Sequence, residues 1–297
     1  MIGGTLPGAP GMQYGSRDAT LRRTRLGTWR LAASIWLVAA CASHRTEPTI
    51  APAAAPLPGY VLAWHDEFDG SALDTTRWTI HAGPRRGAVN TPRAVSVSRG
   101  VLTITTFTEG DTHYTGFIDT ARHYLTRYGW FEARIRFESA PGEWGAFWLQ
   151  TPTMGQPIGD PGIAGTEIDV VEHRATDTAG TDIRDTYSIN LHWDGYGADH
   201  KHAGGSGAPP AGAPSLQGGW HTYSLHWTPE GYRFLLDGVE QWATSEGLSH
   251  RPEFIRVTCE VEDGAWAGRV PTRGYGSLQR STTRMQVDWV RVWQAAP

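Results

Sequence analysis

The chain has 297 residues, enough for one large all-β domain or two ordinary domains. Its 26 Lys and Arg residues are nearly balanced by 30 Asp and Glu residues. This balance argues against a nucleic-acid partner, because phosphate binding requires a basic surface. The 36 glycines and 14 tryptophans favour short strands joined by tight turns, and an indole also offers a flat apolar face on which a sugar ring can stack.

Residues 1–41 predict a secretory signal with a lipobox and not a part of the folded domain. Arginines precede an apolar run, 31–40, that is too short to span a bilayer as a helix. Cys41 follows at once, and Val38-Ala-Ala-Cys41 is similar to the lipobox of bacterial lipoproteins. We therefore expect an exported bacterial lipoprotein anchored to the membrane through a lipidated Cys41. Ordinary cleavage at Ala40-Cys-Ala42, which would give a secreted protein, is the alternative.

The remaining chain divides into a tether and one domain. Residues 42–59 are rich in Ala and Pro without an amphipathic period, which predicts an extended tether. From residue 60 to 297 the sequence alternates short β-branched and aromatic stretches with Gly and Pro, and a long helical pattern is absent. In the stretch 130–137, for example, apolar residues alternate with charged ones. This succession of short strand-like stretches and turn residues predicts an all-β sandwich or jelly roll. We expect a monomer.

The stretch Glu167-Ile-Asp-Val-Val-Glu172 concentrates three acids in one apolar strand. Alternation along a strand puts Glu167 and Asp169 on one face and Glu172 on the other. Because burying unpaired carboxylates costs several kcal/mol each, the acidic face must line a cleft. A β-bulge at Val170-Val171 would return Glu172 to that face. A solvated acidic edge strand is the alternative, against which the apolar residues of the stretch argue.

Such a bulge predicts the chemistry of a retaining glycosidase. It would leave the carboxylates of Glu167 and Glu172 roughly 5–6 Å apart, the separation typical of retention. One glutamate would attack the anomeric carbon, and the other would protonate the leaving oxygen and then activate water. Asp169 could hydrogen-bond Glu167 and bias the proton distribution among the acids.

With these acids in place, the chain resembles glycoside hydrolase family 16, the laminarinase-like group of endo-β-glycosidases. EIDVVE matches the bulged E-x-D-x-x-E form of that family. The other similar stretches, in order, are 62–80, 128–137, 143–150, 189–197, 219–242 and 287–294. The resemblance implies a concanavalin-like jelly roll with a concave glycan-binding cleft. It also implies Glu167 as nucleophile, Asp169 as its assistant and Glu172 as acid/base.

The resemblance further implies substrate contacts and a metal site. The implied substrate contacts are Trp144, Trp148, His192 and Trp193. For the first two tryptophans, packing between the sheets is the alternative, and for His192 the alternative is a structural role. The chemistry requires no cofactor, but many family members bind a structural Ca²⁺. The matching positions are Glu67, the Gly100 carbonyl and Asp288, and the alternative is that the two acids are ordinary surface residues.

The leading expectation is a hydrolase whose partner is a polysaccharide, acting on β-1,3- or β-1,3/1,4-glucan. The sequence departs from the laminarinase pattern at 116–118 and 160–165, so a red-algal galactan of the agar or carrageenan type is the alternative substrate. A non-catalytic glycan-binding protein and a transglycosylase are further alternatives. Residues 195–214, rich in Gly, Pro and His, predict a loop beside the cleft, and a metal role for His200 and His202 has little support.

Overall fold

The computed structural model describes residues 54–297. The predicted signal and lipobox at 1–41, with Cys41, therefore lie outside the described residues, as does most of the predicted tether at 42–59. The first strand begins at Tyr60. Among residues 54–297, no helix has the length and apolar character needed to cross a membrane.

Strands dominate the described chain, which confirms the predicted all-β class, and they form two large sheets and one small sheet within residues 54–297. The first sheet contains β1 (Tyr60–Asp66), β5 (Val95–Ser98), β6 (Val101–Thr105), β10 (Gly129–Glu138), β15 (His221–Thr228), β16 (Gly231–Leu236), β17 (Val239–Thr244) and β19 (Arg284–Ala295). The second contains β2 (Thr79–Ile80), β9 (Phe117–Asp119), β11 (Glu143–Gln150), β12 (Glu167–Arg174), β13 (Tyr187–Trp193), β14 (Lys201–Gly207) and β18 (Phe254–Val261). The small sheet contains β3 (Gly83–Arg85), β4 (Ala88–Asn90), β7 (Phe107–Glu109) and β8 (Thr112–Thr115). A 3₁₀ turn at Pro92–Ala94 and a short helix α1 (Pro161–Ala164) complete the elements.

The two large sheets have the crossed connectivity of a jelly roll. In the first, the order is β17-β16-β15-β10-β19-β6-β5, with β1 also pairing with β19. In the second, the order is β14-β13-β12-β11-β18-β9-β2. Strands distant in sequence thus become neighbours, and all pairs within these two sheets are antiparallel. The acidic strand β12 lies in the interior of its sheet, as its apolar residues predict.

The core lies between the two large sheets and is built by strand alternation. On β10, Phe131, Ala133 and Ile135 are fully buried, as the sequence predicts, and on β11 the core-facing residues are Phe147 and Leu149. Full burial of one such large side chain stabilises the fold by about 1.5–3 kcal/mol. The opposite faces of the same strands are thereby left for polar residues or for a site.

The predicted loop at 195–214 is wrong over part of its length, because β14 occupies Lys201–Gly207 at the edge of the second sheet. Its glycines lie beneath aromatic rings. A Cβ at Gly207 would come within 2.2 Å of the Tyr187 ring, and one at Gly205 within 2.7 Å of Trp242. Because Gly is uncommon in strands, the Gly-rich composition predicts a loop. The structure has an edge strand instead, and its aromatic neighbours leave no space for larger side chains at these glycines.

Candidate active site

The predicted bulge is present in β12. Against β11, Phe147 pairs with Val171 and Trp148 pairs with Asp169, so Val170 is an extra residue without a partner on that strand. The register against β13 shifts at the same place, between Asp169 and Glu172. One inserted residue reverses the alternation that follows it, which is the change of face that the sequence predicts.

As a result, the three acids share one cleft on the outer face of the second sheet. Glu167, Asp169 and Glu172 all line this cleft, which encloses about 790 Å³. The residues of β12 that instead enter the core are Ile168, Val170 and Val171. Carboxylate oxygens of Glu167 and Asp169 and a ring nitrogen of His192 lie within 4.8 Å of one another. The separation expected between Glu167 and Glu172 stays a prediction.

Two neighbours orient the carboxylate of Glu167. Gln150 Nε2 donates a hydrogen bond to Glu167 Oε2 at 2.8 Å, and the Tyr196 hydroxyl donates to the same oxygen. Gln150 Nε2 also lies 2.9 Å from the Tyr196 hydroxyl, so the three groups form a closed set. Burial raises the pKa of Glu167, whereas the hydrogen bond from Tyr196 and the charge of Arg256 lower it.

The other two acids hold protons more tightly than usual. Burial, followed by the charges of Glu172 and Glu167, raises the pKa of Asp169 well above its ordinary value. Burial also raises the pKa of Glu172 to about 7, against the opposing effect of Asn190, whose Nδ2 donates to Glu172 Oε2 at 2.6 Å. The cleft therefore holds a carboxyl group at Glu172 that titrates near neutral pH.

Two of the four predicted sugar contacts line the cleft, and a third, His192, lies beside its acids. Trp144 and Trp148 line it, although each is only 5% exposed. Trp148 Nε1 donates to Thr258 Oγ1 at 3.1 Å, which fixes the ring. His192 pairs in register with Glu167, and its Nε2 lies 3.5 Å from Asp169 Oδ2. Burial, His200 and His202 lower the pKa of His192 to about 4, so its ring is neutral near pH 7.

The prediction for Trp193 is wrong. Its side chain packs in the hydrophobic core, where its ring lies against Gly247. Consecutive residues of a regular strand point to opposite faces, so the strand that brings His192 into the cleft must direct Trp193 away from it.

Several cleft residues escape the sequence analysis. Gln150 could have been found, because it continues the alternation that starts at Trp144 on β11. Tyr196 lies in the segment 195–214 that the sequence places beside the cleft, although no period singles out this residue. Arg85 and Arg86 come from the β3–β4 turn, far from β12 in sequence, so only the fold shows that they line the cleft.

The arginines of the cleft differ in their hydrogen bonds to neighbouring carboxylates. Arg85 Nη2 donates to Glu260 Oε1 at 2.7 Å, and Arg86 Nε donates to the other oxygen of Glu260. Arg256 stacks over Trp148, with its guanidinium carbon 4.6 Å from the ring centroid. Its Nε lies 3.9 Å from Asp119 and is buried without a hydrogen-bond partner among residues 54–297. One guanidinium therefore keeps an unused donor beside Trp148.

The residues predicted for Ca²⁺ do not fit a cation. Arg291 donates two hydrogen bonds to Glu67, at 2.9 and 2.8 Å, and Arg134 donates to Asp288 at 2.6 Å. Gly100 lies in the turn between β5 and β6. Each carboxylate already accepts hydrogen bonds from its own guanidinium group. A cation at this place would be repelled by the two arginines and would find the carboxylate oxygens already in use.

A jelly roll whose cleft holds paired glutamates on a bulged strand belongs to the glycan-cleaving class. The chain matches the family described as "Beta-porphyranase A-D, GH16 domain" over residues 61–295. It therefore belongs to glycoside hydrolase family 16, and it is a glycoside hydrolase. The predicted family, fold and enzyme class are confirmed.

Relatives with established names are consistent with this assignment. The chain is 30% identical to "Beta-glucanase" of Rhodothermus marinus, over 80% of this chain and 86% of that protein. It is 24% identical to "Glucan endo-1,3-beta-glucosidase A1" of Niallia circulans over 84% of this chain, but it spans only 39% of that relative's length. The X-ray structure of the laminarinase from Rhodothermus marinus has a TM-score of 0.62 at 25% identity, covering 80% of this chain and 98% of that chain.

Proposed function

We propose that the protein is a retaining endo-β-glycosidase that hydrolyses a polysaccharide by double displacement. The bulge of β12 carries this proposal, because it brings Glu167, Asp169 and Glu172 to one cleft. Glu167 attacks the anomeric carbon as a carboxylate, while Glu172 donates its proton to the departing oxygen. Glu172 then removes a proton from water, whose oxygen displaces the glycosyl ester from Glu167 and restores both acids.

Asp169 supports the charge changes of Glu167. Burial and the neighbouring charges of Glu172 and Glu167 raise its pKa well above the ordinary value, and in its neutral form the carboxyl group can donate a hydrogen bond to Glu167 without adding a second negative charge. Gln150 and Tyr196 donate to Oε2 of Glu167. These donors leave the other carboxylate oxygen as the attacking atom.

We propose β-1,3- or β-1,3/1,4-glucan as the substrate. Glu260 pairs with both Arg85 and Arg86, and Glu262 lies 3.4 Å from Arg86, so two carboxylates balance the two guanidinium charges, which suits a glycan without charge. The Rhodothermus marinus relative is named a beta-glucanase. A red-algal galactan is the second candidate. The Arg256 guanidinium, which lines the cleft, and the porphyranase description of the family match favour it, since a sulfate ester would be attracted by that positive charge.

Replacing either glutamate tests the catalytic assignment. We expect Glu167→Gln and Glu172→Gln each to lower kcat by roughly 100-fold to 10⁴-fold, because amides can neither attack nor transfer the proton. Release of reducing ends measures the rate, and NMR of the first product gives the anomer, for which we expect retention. Glu240→Gln, at an exposed residue of the other sheet, is the matched control. Full activity in either catalytic variant, or an inverted product, would remove the mechanism.

The hydrogen bond from Asn190 predicts a change in the pH profile. Asn190 stabilises the anionic form of Glu172, so Asn190→Ala should raise the pKa of Glu172 by roughly one unit. Glu172 must be protonated to act as an acid, and the alkaline limb of kcat/KM should therefore move from near pH 7 to higher pH. A limb that stays in place, or moves to lower pH, would show that Glu172 is not the titrating acid.

A substrate panel separates the two glycan candidates. We expect laminarin or lichenan to be cleaved fastest among laminarin, lichenan, agarose, carrageenan, porphyran and xyloglucan. Arg256→Gln should then alter KM for the glucan by less than about threefold, since a neutral sugar gains little from the guanidinium charge. Cleavage of a sulfated galactan alone, with a KM that Arg256→Gln raises at least about tenfold, would reject the glucan in favour of the second candidate.

We further propose that the protein is an exported lipoprotein, anchored through Cys41 as the sequence pattern indicates; simple secretion is the alternative. We expect the protein in the membrane fraction of an expressing bacterium, and Cys41→Ser should move it to the soluble exported fraction. Equal membrane retention of both forms would rule out the lipid anchor.

A further inference from the structure

Three imidazoles form a group at the β13–β14 end of the cleft sheet, which we call the histidine cluster: His192, His200 and His202. His192 on β13 pairs directly with His202 on β14. His200 lies two residues before His202, and its ring stacks on that of His192 with centroids 5.1 Å apart. The third ring lies 6.0 Å from His200 and 6.3 Å from His192. Three imidazoles, from two paired strands and the turn between them, thus lie together.

Two nitrogen atoms of this cluster lie close to the separation that metal ligands require, whereas among residues 54–297 only Glu167, Asp169 and His192 already bring three ligand atoms within 4.8 Å of one another. His192 Nδ1 and His200 Nε2 lie 3.0 Å apart. Two nitrogens bound to one tetrahedral ion at about 2.0–2.1 Å stand about 3.3–3.4 Å apart, so a shift of a few tenths of an ångström suffices. His200 and His202 are both exposed, which gives an ion access from solvent.

The carboxyl group of Asp169 lies beside the central ligand. His192 Nε2 faces Asp169 Oδ2 at 3.5 Å, while its Nδ1 faces His200. Metal-binding histidines usually present one nitrogen to the ion and direct the other ring N–H to a carboxylate or carbonyl. The side chain of Asp169 thereby favours the tautomer of His192 whose Nδ1 lone pair points into the cluster.

We propose that the histidine cluster is a binding site for a borderline transition-metal ion of the Zn²⁺ class. His192 Nδ1 and His200 Nε2 are the first two ligands. Rotation of the exposed His202 side chain brings its ring to the third position, and water fills the fourth. Binding replaces the hydrogen bond between His192 and His200, and the proton of His200 Nε2 moves to Nδ1 of the same ring. No redox step and no other reactant is needed.

The ion has a consequence for hydrolysis that rests on the proposed function. His200 also lies beside Tyr196, with ring centroids 6.1 Å apart, and Tyr196 donates to Glu167. An ion at the cluster would hold His192 beside Asp169 and His200 beside Tyr196, and so restrict the groups that orient Glu167. We therefore expect Zn²⁺ to inhibit cleavage of the polysaccharide, and EDTA to restore it.

A carboxylate site is the competing arrangement. Oxygens of Glu167 and Asp169 approach the same His192 within 4.8 Å. Two carboxylates with one imidazole suit harder ions, whereas two or three imidazoles suit Zn²⁺ and Cu²⁺. The two arrangements therefore differ in which substitution removes binding.

Calorimetric titration of the purified full chain with ZnCl₂, in a non-chelating buffer, tests the site. We expect one saturable ion per chain and a loss of affinity of at least roughly 10-fold to 100-fold in His200→Ala. His123→Ala, at an exposed histidine outside the cluster, is the matched control and should bind as the parent does. Cu²⁺ bound to the parent should show electron paramagnetic couplings to two or more nitrogens, and His200→Ala should lose one of them.

Two outcomes overturn the site: no saturable binding by the parent, or binding unchanged in His200→Ala and lost in Glu167→Gln. Hydrolysis is measured separately. Binding at the cluster in a chain that cleaves no glycan would support the metal site and reject the proposed function. Hydrolysis by a chain that binds no metal would support the proposed function and reject the metal site.

Discussion

The structure depends on one constraint, which is that three carboxyl groups must share a face of a strand whose other face is core. Ile168, Val170 and Val171 hold β12 against the other sheet, and the bulge between them turns Glu172 back to the cleft. Removing the inserted residue would direct Glu172 into a hydrophobic interior, where an unpaired carboxylate costs several kcal/mol. The apolar residues therefore position the acids as firmly as any hydrogen bond does.

The same crowding sets the proton affinities of the site. Partly desolvated acids on one short strand cannot all be charged, so some of them retain protons to higher pH than usual. The surroundings then distinguish the acids. Two donors, Gln150 and Tyr196, stabilise charge at Glu167, whereas Glu172 receives a hydrogen bond from Asn190 alone among the side-chain bonds of residues 54–297. Under the proposed mechanism, a nucleophile and a proton donor of the same residue type would thus arise from different environments, which is the condition for double displacement.

Sequence reasoning succeeded where the determining pattern is local. Alternation and the acid spacing predicted both the face of each β12 residue and the bulge, since both depend on a few consecutive residues. The prediction for Trp193 is wrong because it follows the family motif, although strand alternation already places this residue on the core face. Sequence reasoning failed for β14, because the reason for its glycines is the position of Tyr187 and Trp242. Arg85 and Arg256 reach the cleft only through long-range connections of the jelly roll, which no local period encodes.

The histidine cluster shows how an edge of the same sheet acquires chemistry of its own. The alternation that brings Asn190 and His192 to the cleft on β13 also faces His192 with His202 across the last strand pair, and the turn before β14 adds His200. His192 then belongs to two groups at once, since its Nε2 faces Asp169 and its Nδ1 faces His200. An ion held by one nitrogen must alter the orientation and charge at the other, so that the metal site and the acids cannot act independently.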